Sequence, residues 1–205
     1  MGHRSGARTV DIITEACARL GIEALTLYAF STENWKRPRE EVNALMALLE
    51  DNLKRNAKKL HDNNIRFNVI GRVDGFSEPL RREIDRVRDL TSANTGMVLT
   101  LALNYGGRQE ILDAMKGIFA KMKEGSVDVS SWNEKDFEGF LYTSGLPDPD
   151  LVIRTSGEKR ISNFLLWQSA YAEFYVTDTL WPDFDAGQLQ KALDEYAKRE
   201  RRFGG

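Results

Sequence analysis

Met97-Val-Leu-Thr-Leu-Ala-Leu-Asn104 runs directly into Tyr105-Gly-Gly-Arg108, and this junction decides the fold. Six apolar side chains in eight residues leave no polar face, as expected for a strand buried on both sides of a sheet. The Gly106-Gly107 pair then turns the chain into a helix predicted over 108–122. Similar strands precede it. Ala24-Leu-Thr-Leu-Tyr-Ala-Phe30 and Ile65-Arg-Phe-Asn-Val-Ile-Gly71 are both apolar and β-prone. Downstream, Leu151-Val-Ile-Arg154 and Glu173-Phe-Tyr-Val-Thr177 give two more.

Helical spacing fills the gaps. Val10, Ile13, Cys17 and Leu20 mark a helix over 6–20 that Gly21 stops. Pro38 opens a second, with Glu40 and Glu41 in its first turn, where carboxylates suit the helix dipole. A charged helix covers 78–90, and short helices are predicted near 134–142 and from Ser162 to Gln168. Asp185 caps the last helix, with Gln188 as its capping-box partner. Alternating strands and helices imply right-handed crossovers and a mainly parallel central sheet flanked by helices, an α/β fold. The 205 residues are read as a single domain.

Composition narrows the function. The chain is 41% hydrophobic, enough for a sizeable core. Its 29 Lys and Arg against 31 Asp and Glu give a net charge of −2, without the basic excess of a nucleic-acid binder. One cysteine, Cys17, excludes an intrachain disulfide and a cysteine metal cage. There is no apolar run of roughly 18 residues and no secretory h-region after Met1, so a cytoplasmic protein is expected, with peripheral membrane contact left open. The glycine loops of dinucleotide and nucleotide binders are absent, as are the zincin and nucleophile-elbow motifs and any paired metal-binding aspartates.

In parallel sheets ligands bind beyond the strands' carboxyl ends, so the segments there carry the argument. Arg154, Gly157, Arg160 and Ser162 follow the fourth strand. Guanidinium forks, a bending glycine, a hydroxyl and a helix start suit a phosphorylated ligand; a solvated turn with its charges paired is the alternative. Ser31, Thr32, Glu33, Asn34, Trp35 and Arg37 follow the first. They fit orienting groups and an anion clamp, or equally a turn and helix start. Asn104 to Arg108 suits either an anion nest or a tight turn that needs its glycines. Glu173 could bind Mg²⁺ beside substrate phosphate, or pair with an arginine. The helix from Pro38 is apolar over a wide arc, Val42, Ala44, Leu45, Met46, Ala47, Leu48 and Leu49, which fits burial on two sides or one wall of an apolar cavity.

Ala29-Phe-Ser-Thr-Glu-Asn-Trp-Lys-Arg-Pro38, Asn104-Tyr-Gly-Gly-Arg108, the run from Asp150 to Gln168 and Leu180-Trp-Pro-Asp-Phe184 together resemble the bacterial cis-prenyltransferase family over the whole chain, as does Arg199-Glu-Arg-Arg-Phe-Gly-Gly205. The resemblance implies that family's fold, with a hydrophobic tunnel, and a transferase that condenses isopentenyl diphosphate with an allylic diphosphate such as farnesyl diphosphate. The product would be a long cis-polyprenyl diphosphate, precursor of the cell-wall lipid carrier. Mg²⁺ is the implied cofactor and a homodimer the implied assembly. By the same resemblance Arg154, Arg160, Ile161 and Ser162 hold isopentenyl diphosphate, and Glu173 is a Mg²⁺ ligand. Asn34 matches the catalytic position, read here as an orienting group because a neutral amide is a poor base. His3, Ser31, Thr32, Glu33, Trp35 and Arg37 match substrate-binding positions, and Arg202 and Gly204 a C-terminal element near the dimer interface. Two departures stand out. Lys159 replaces a histidine of some relatives. The family's opening strand, ending in Asp-Gly-Asn-Gly-Arg-Trp-Ala, precedes the point where Met1-Gly2-His3 begins. On that ground the expectation for the chain as written is an isopentenyl half-site with severely reduced or no turnover. The alternative is a non-catalytic partner subunit.

Overall fold

The computed structural model describes residues 2–199, with side chains from Ser5 onward. The chain divides into two compact units. One combines the start of the chain to Ile22 with Asp148–Arg160 and the stretch from Gln168 on; the other combines Glu23–Pro147 with Ile161–Trp167.

The larger unit is organised by β3 (Val98–Tyr105), buried at every position but Asn104. β1 (Ala24–Ser31) and β2 (Arg66–Ile70) pair with it in parallel on either side, in the order β1-β3-β2. α2 (Arg39–Asp62) and α3 (Glu78–Thr91) are the crossovers. α3 turns Leu80, Ile84, Val87 and Thr91 inward, the i, i+4 stripe of an amphipathic helix. The Thr91 hydroxyl accepts the Phe67 N–H at 3.0 Å and so ties α3 to β2. α4 (Gly107–Lys123) follows β3, and a short α5 (Glu134–Glu138) ends well before the predicted 142.

The β1–β3 register is regular from Ala24↔Val98 to Tyr28↔Ala102. It then shifts, to Phe30↔Leu103 and Ser31↔Tyr105, so that Ala29 and Asn104 drop out of the pairing. Such irregularities re-aim side chains at the ends of strands.

In the smaller unit α1 (Gly2–Arg19) is closed by Gly21 at φ +74°. The Trp181 indole donates to the Gly6 carbonyl at 3.1 Å, and the Thr9 hydroxyl to that of Pro182 at 3.0 Å. β4 (Leu151–Arg154) and β5 (Glu173–Val176) form a parallel pair. α6 (Ala186–Ala197) is capped by Asp185, whose carboxylate accepts the Gln188 N–H at 2.9 Å, as predicted.

Every ladder is parallel, as expected, but the single central sheet resolves into two sheets among the described residues, of three and two strands. The predicted helix from Ser162 to Gln168 is absent. Ser162, Asn163 and Leu165 take left-handed φ values of +52°, +62° and +43°, which no right-handed helix accommodates. Phe164 and Leu165 instead join Ile70, Ala102, Tyr105, Tyr28 and Tyr142 in an apolar cluster. The wide apolar arc of α2 is not buried on two sides: Leu45, Met46, Leu48 and Leu49 are only half-buried, and Ala44 and Ala47 are exposed.

Candidate functional site

β1 ends in a preformed turn. Ser31 begins a 3-10 turn over Thr32–Lys36 with a reciprocal capping box, in which the Asn34 amide oxygen accepts the Ser31 N–H at 2.9 Å. The group that Asn34 can present to a ligand is therefore its N–H₂, a donor. Trp35 is 42% exposed yet fixed. Its ring meets Phe30 edge-on at 5.1 Å and tilts over Phe76 at 6.0 Å. Its indole N–H donates to the Asn104 side-chain oxygen at 2.7 Å. The Arg37 guanidinium pairs with Glu41 at 2.8 Å on the first turn of α2, in an exposed contact of little worth to stability.

Asn163 joins this turn to the segment after Arg160. Its carbonyl accepts the Gly107 N–H at 2.7 Å and its amide oxygen the Arg108 N–H at 2.9 Å. Its N–H₂ donates to Glu33 and Gln109, both at 3.2 Å. The start of α4 is thus closed by Asn163, which sets aside the anion-nest reading of Asn104 to Arg108. The glycines there are a matter of room. A Cβ on Gly106 would lie 2.4 Å from Gln109 Oε1 and 2.6 Å from Asn163 Nδ2; one on Gly107 would lie 2.7 Å from Leu166 Cγ. Burial pushes the Glu33 carboxyl up, but hydrogen bonds from its own backbone, from Ser31 and from Asn163 outweigh it and hold the group below its ordinary value. Ser162 neighbours this cap, its carbonyl facing the Tyr28 hydroxyl at 3.5 Å, and the Ile161 carbonyl accepts the Phe164 N–H at 3.1 Å.

In the smaller unit Arg154 ends β4, and the loop after it folds onto the segment after β5. The Ser156 N–H donates to the Thr179 carbonyl at 2.9 Å and the Gly157 N–H to that of Thr177 at 2.8 Å. Gly157, at φ +67°, lies where a Cβ would come within 2.8 Å of the Asp178 carboxylate. Its N–H is engaged by the chain rather than offered to an anion, so the loop's anion chemistry rests on its arginines. Arg160 is 67% exposed along its side chain and pairs with Glu158.

Glu173 sits opposite Leu151 at the amino end of the β4–β5 ladder, whereas Arg154 sits opposite Val176 at the carboxyl end, about 10 Å along the strands. The Glu173 carboxylate accepts the Arg199 guanidinium at 2.7 Å, the arginine pairing weighed for it above. Among the described residues no cluster of three His, Cys, Asp or Glu could hold a metal ion. A lone carboxylate fits Mg²⁺ as one protein ligand of an ion that arrives with substrate phosphate. The side chain of His3, and all of Arg202 and Gly204, lie outside the described residues.

A network the sequence did not disclose lies beside Asn104. The Arg72 guanidinium grips Asp113 with both prongs, at 2.6 and 2.7 Å, and the Tyr142 hydroxyl donates to the same carboxylate. Glu110, wholly buried in α4, accepts the Tyr105 hydroxyl at 2.5 Å and the Tyr142 N–H at 2.9 Å. The position of Gly71-Arg72 just after β2 was the one sequence signal for it.

These features define an α/β protein whose polar chemistry gathers on the loops that follow its parallel strands. Residues 1–204 match the family described as "Putative undecaprenyl diphosphate synthase", and the chain belongs to it, the cis-prenyltransferases. It is 50% identical over 205 residues to an isoprenyl transferase of Clostridium perfringens, covering all of this chain and 81% of that one. It is 48% identical over 204 residues to a ditrans,polycis-undecaprenyl-diphosphate synthase, (2E,6E)-farnesyl-diphosphate specific, of Pasteurella multocida, covering 85% of its length. Among solved structures, lavandulyl diphosphate synthase from Lavandula x intermedia, in complex with dimethylallyl diphosphate, matches with a TM-score of 0.95 at 39% identity, covering 99% of this chain and 88% of that one. A probable undecaprenyl diphosphate synthase from Campylobacter jejuni matches with a TM-score of 0.85 at 35% identity, covering 98% and 93%.

Proposed function

We propose that this protein elongates an allylic diphosphate, such as farnesyl diphosphate, with isopentenyl diphosphate units to give a long cis-polyprenyl diphosphate, precursor of a cell-wall lipid carrier. One observation carries the reading. The Ser31–Arg37 turn is already locked by its capping box and by the Trp35 contacts, in a chain 48% identical to a named undecaprenyl diphosphate synthase.

The chemistry asks three things of the residues. Charge developing on the departing allylic diphosphate must be neutralised, which suits the Arg37 guanidinium, while Arg154 and Arg160 suit the isopentenyl diphosphate, which keeps its head group. Mg²⁺, held by Glu173 and the substrate phosphates, would supply further charge neutralisation at the leaving group. The allylic centre must be kept from water, and the half-buried Leu45, Met46, Leu48 and Leu49 of α2 suit the wall of an apolar channel for the growing chain. The proton lost from the condensing unit needs an acceptor. The Asn34 amide oxygen is engaged by Ser31, so Asn34 serves as a donor that orients a diphosphate oxygen, and that oxygen takes the proton.

A homodimer belongs to the same reading. Leu112, Met115, Phe119 and Met122 recur at helical spacing on α4 and are 40–57% exposed, an apolar seam of the kind that packs against a second copy. No helix among the described residues is long and apolar enough to cross a membrane. Action in the cytoplasm, with peripheral membrane contact for product release, completes the proposal. The relatives named above are transferases and synthases, and nothing in the structure favours a non-catalytic subunit.

Incubating the protein with labelled isopentenyl diphosphate, farnesyl diphosphate and Mg²⁺ tests the reading. Extension to long, cis-configured products is expected, in place of the severely reduced turnover anticipated from the residues alone, because the chain matches the family over residues 1–204. Absence of incorporation under these conditions overturns it.

A further inference from the structure

The register shift between β1 and β3 leaves Asn104 unpaired by the β1 ladder and in the left-handed region at φ +46°. Its side chain therefore leaves the sheet and does two jobs. Its amide oxygen accepts the Trp35 indole N–H at 2.7 Å, and its N–H₂ donates to the Arg72 carbonyl at 2.7 Å. Its own carbonyl accepts the Arg72 N–H at 3.3 Å, so Asn104 and Arg72 are bonded reciprocally. Arg72 is in turn held by the two-pronged pair with Asp113. The indole is thus moored, through one amide, to two strand ends and to α4. Packing on Phe30 and Phe76 buries part of the indole yet leaves it 42% open to solvent, and a mooring of such a ring by its N–H points to an orientation that matters to a ligand.

We propose that Asn104 is the positioning residue for Trp35: it fixes the indole at the end of β1 and thereby sets the affinity for the allylic diphosphate. This rests on the elongation reading above.

A double-mutant cycle tests it. Asn104→Gly removes both side-chain bonds and accepts the left-handed backbone without strain. Trp35→Phe keeps an aromatic ring but removes the indole N–H. Asn104→Gly is expected to raise KM for farnesyl diphosphate about tenfold, the worth of one or two hydrogen bonds, with kcat changed less than about twofold. In the Trp35→Phe background it should add nothing further. An unchanged KM, or effects that multiply, overturns the proposal. A second readout needs no turnover. The Trp35 indole N–H resonance, identified by its loss in Trp35→Phe, should move and exchange with solvent about tenfold faster in Asn104→Gly. In Asn104→Asp, which keeps an acceptor, it should stay slow. An unmoved resonance overturns the mooring even in a protein that elongates nothing, whereas absent elongation with a moved resonance removes only the proposed function.

Discussion

Arg72 and Asp113 meet as two parallel forks, Nε to Oδ2 at 2.6 Å and Nη2 to Oδ1 at 2.7 Å, across 41 residues of chain. Chiefly through that guanidinium, the Asp113 carboxyl is held far below the ordinary carboxylate range. A group depressed on folding adds stability above its unfolded value and loses it as pH falls toward the folded one. Asp113→Asn should therefore lower unfolding free energy by about 1 kcal/mol from pH 5 to 8, a figure reduced by the partial exposure of Arg72. The gap between the two proteins should narrow below about pH 4. Urea titrations at several pH values measure it; a gap independent of pH would exclude the carboxylate as its source.

Tyr142 shares that carboxylate. Burial, then the hydrogen bond to Asp113, pushes its phenol up to about 12. Absorbance titration should find Tyr142 protonated at pH 11, and Asp113→Asn should bring its ionisation down.

Asn163→Gly keeps a residue suited to φ +62° and the backbone bond to Gly107 while removing the side-chain bond to the Arg108 N–H and the donor to Glu33. The expected cost is about 1 kcal/mol of stability. The Glu33 carboxyl should also move up toward its ordinary value in a carbon-13 NMR titration. A stability loss without that movement would disconnect Asn163 from the β1 turn.

Arg160 is largely exposed and, among the described residues, pairs with the neighbouring Glu158, so Arg160→Ala should leave thermal stability unchanged. Isopentenyl diphosphate affinity, measured by calorimetry, should fall about tenfold or more with the loss of one charged clamp. Unaltered affinity would take Arg160 out of the site.

Cys17 is 3% exposed on α1, and burial raises its thiol to about 11. Alkylation at pH 8 should run on the order of a hundredfold slower in the folded protein than in urea, since only the thiolate reacts. Rapid labelling of the native protein would mean that α1 opens readily.

Much of this was legible in the residues. The strands fall where apolar runs placed them, because parallel strands buried on both faces leave an unbroken signal, as in Val98 to Leu103. Gly21, Asp185 and the acidic first turn of α2 acted as their local chemistry requires. The segment from Ser162 to Gln168 misled, because its apolar spacing is also that of a helix. Its conformation is dictated from outside, by Phe164 stacked on Tyr28 at 4.6 Å and by Asn163 capping a helix 55 residues upstream. The Ser-Asn pair, tolerant of left-handed backbone, was the available hint. Within the candidate site the residue types could be read, but not their engagements. Nothing in the order of residues says that Arg199 would claim Glu173, that Asn34 would turn its oxygen back on Ser31, or that Asn104 would reach Trp35.

The cap that Asn163 places on α4 also bears on how the chain comes off the ribosome. The larger unit needs Ile161–Trp167, which follow Asp148–Arg160 of the other unit, so neither unit is formed by one uninterrupted stretch of chain. A nascent chain stalled before Asn163 carries β1, β2, β3 and all of α4, but with the start of α4 uncapped. Its maturation therefore waits on late synthesis, and the slow closure of so distant a contact leaves an interval in which chaperones can engage the unfinished sheet.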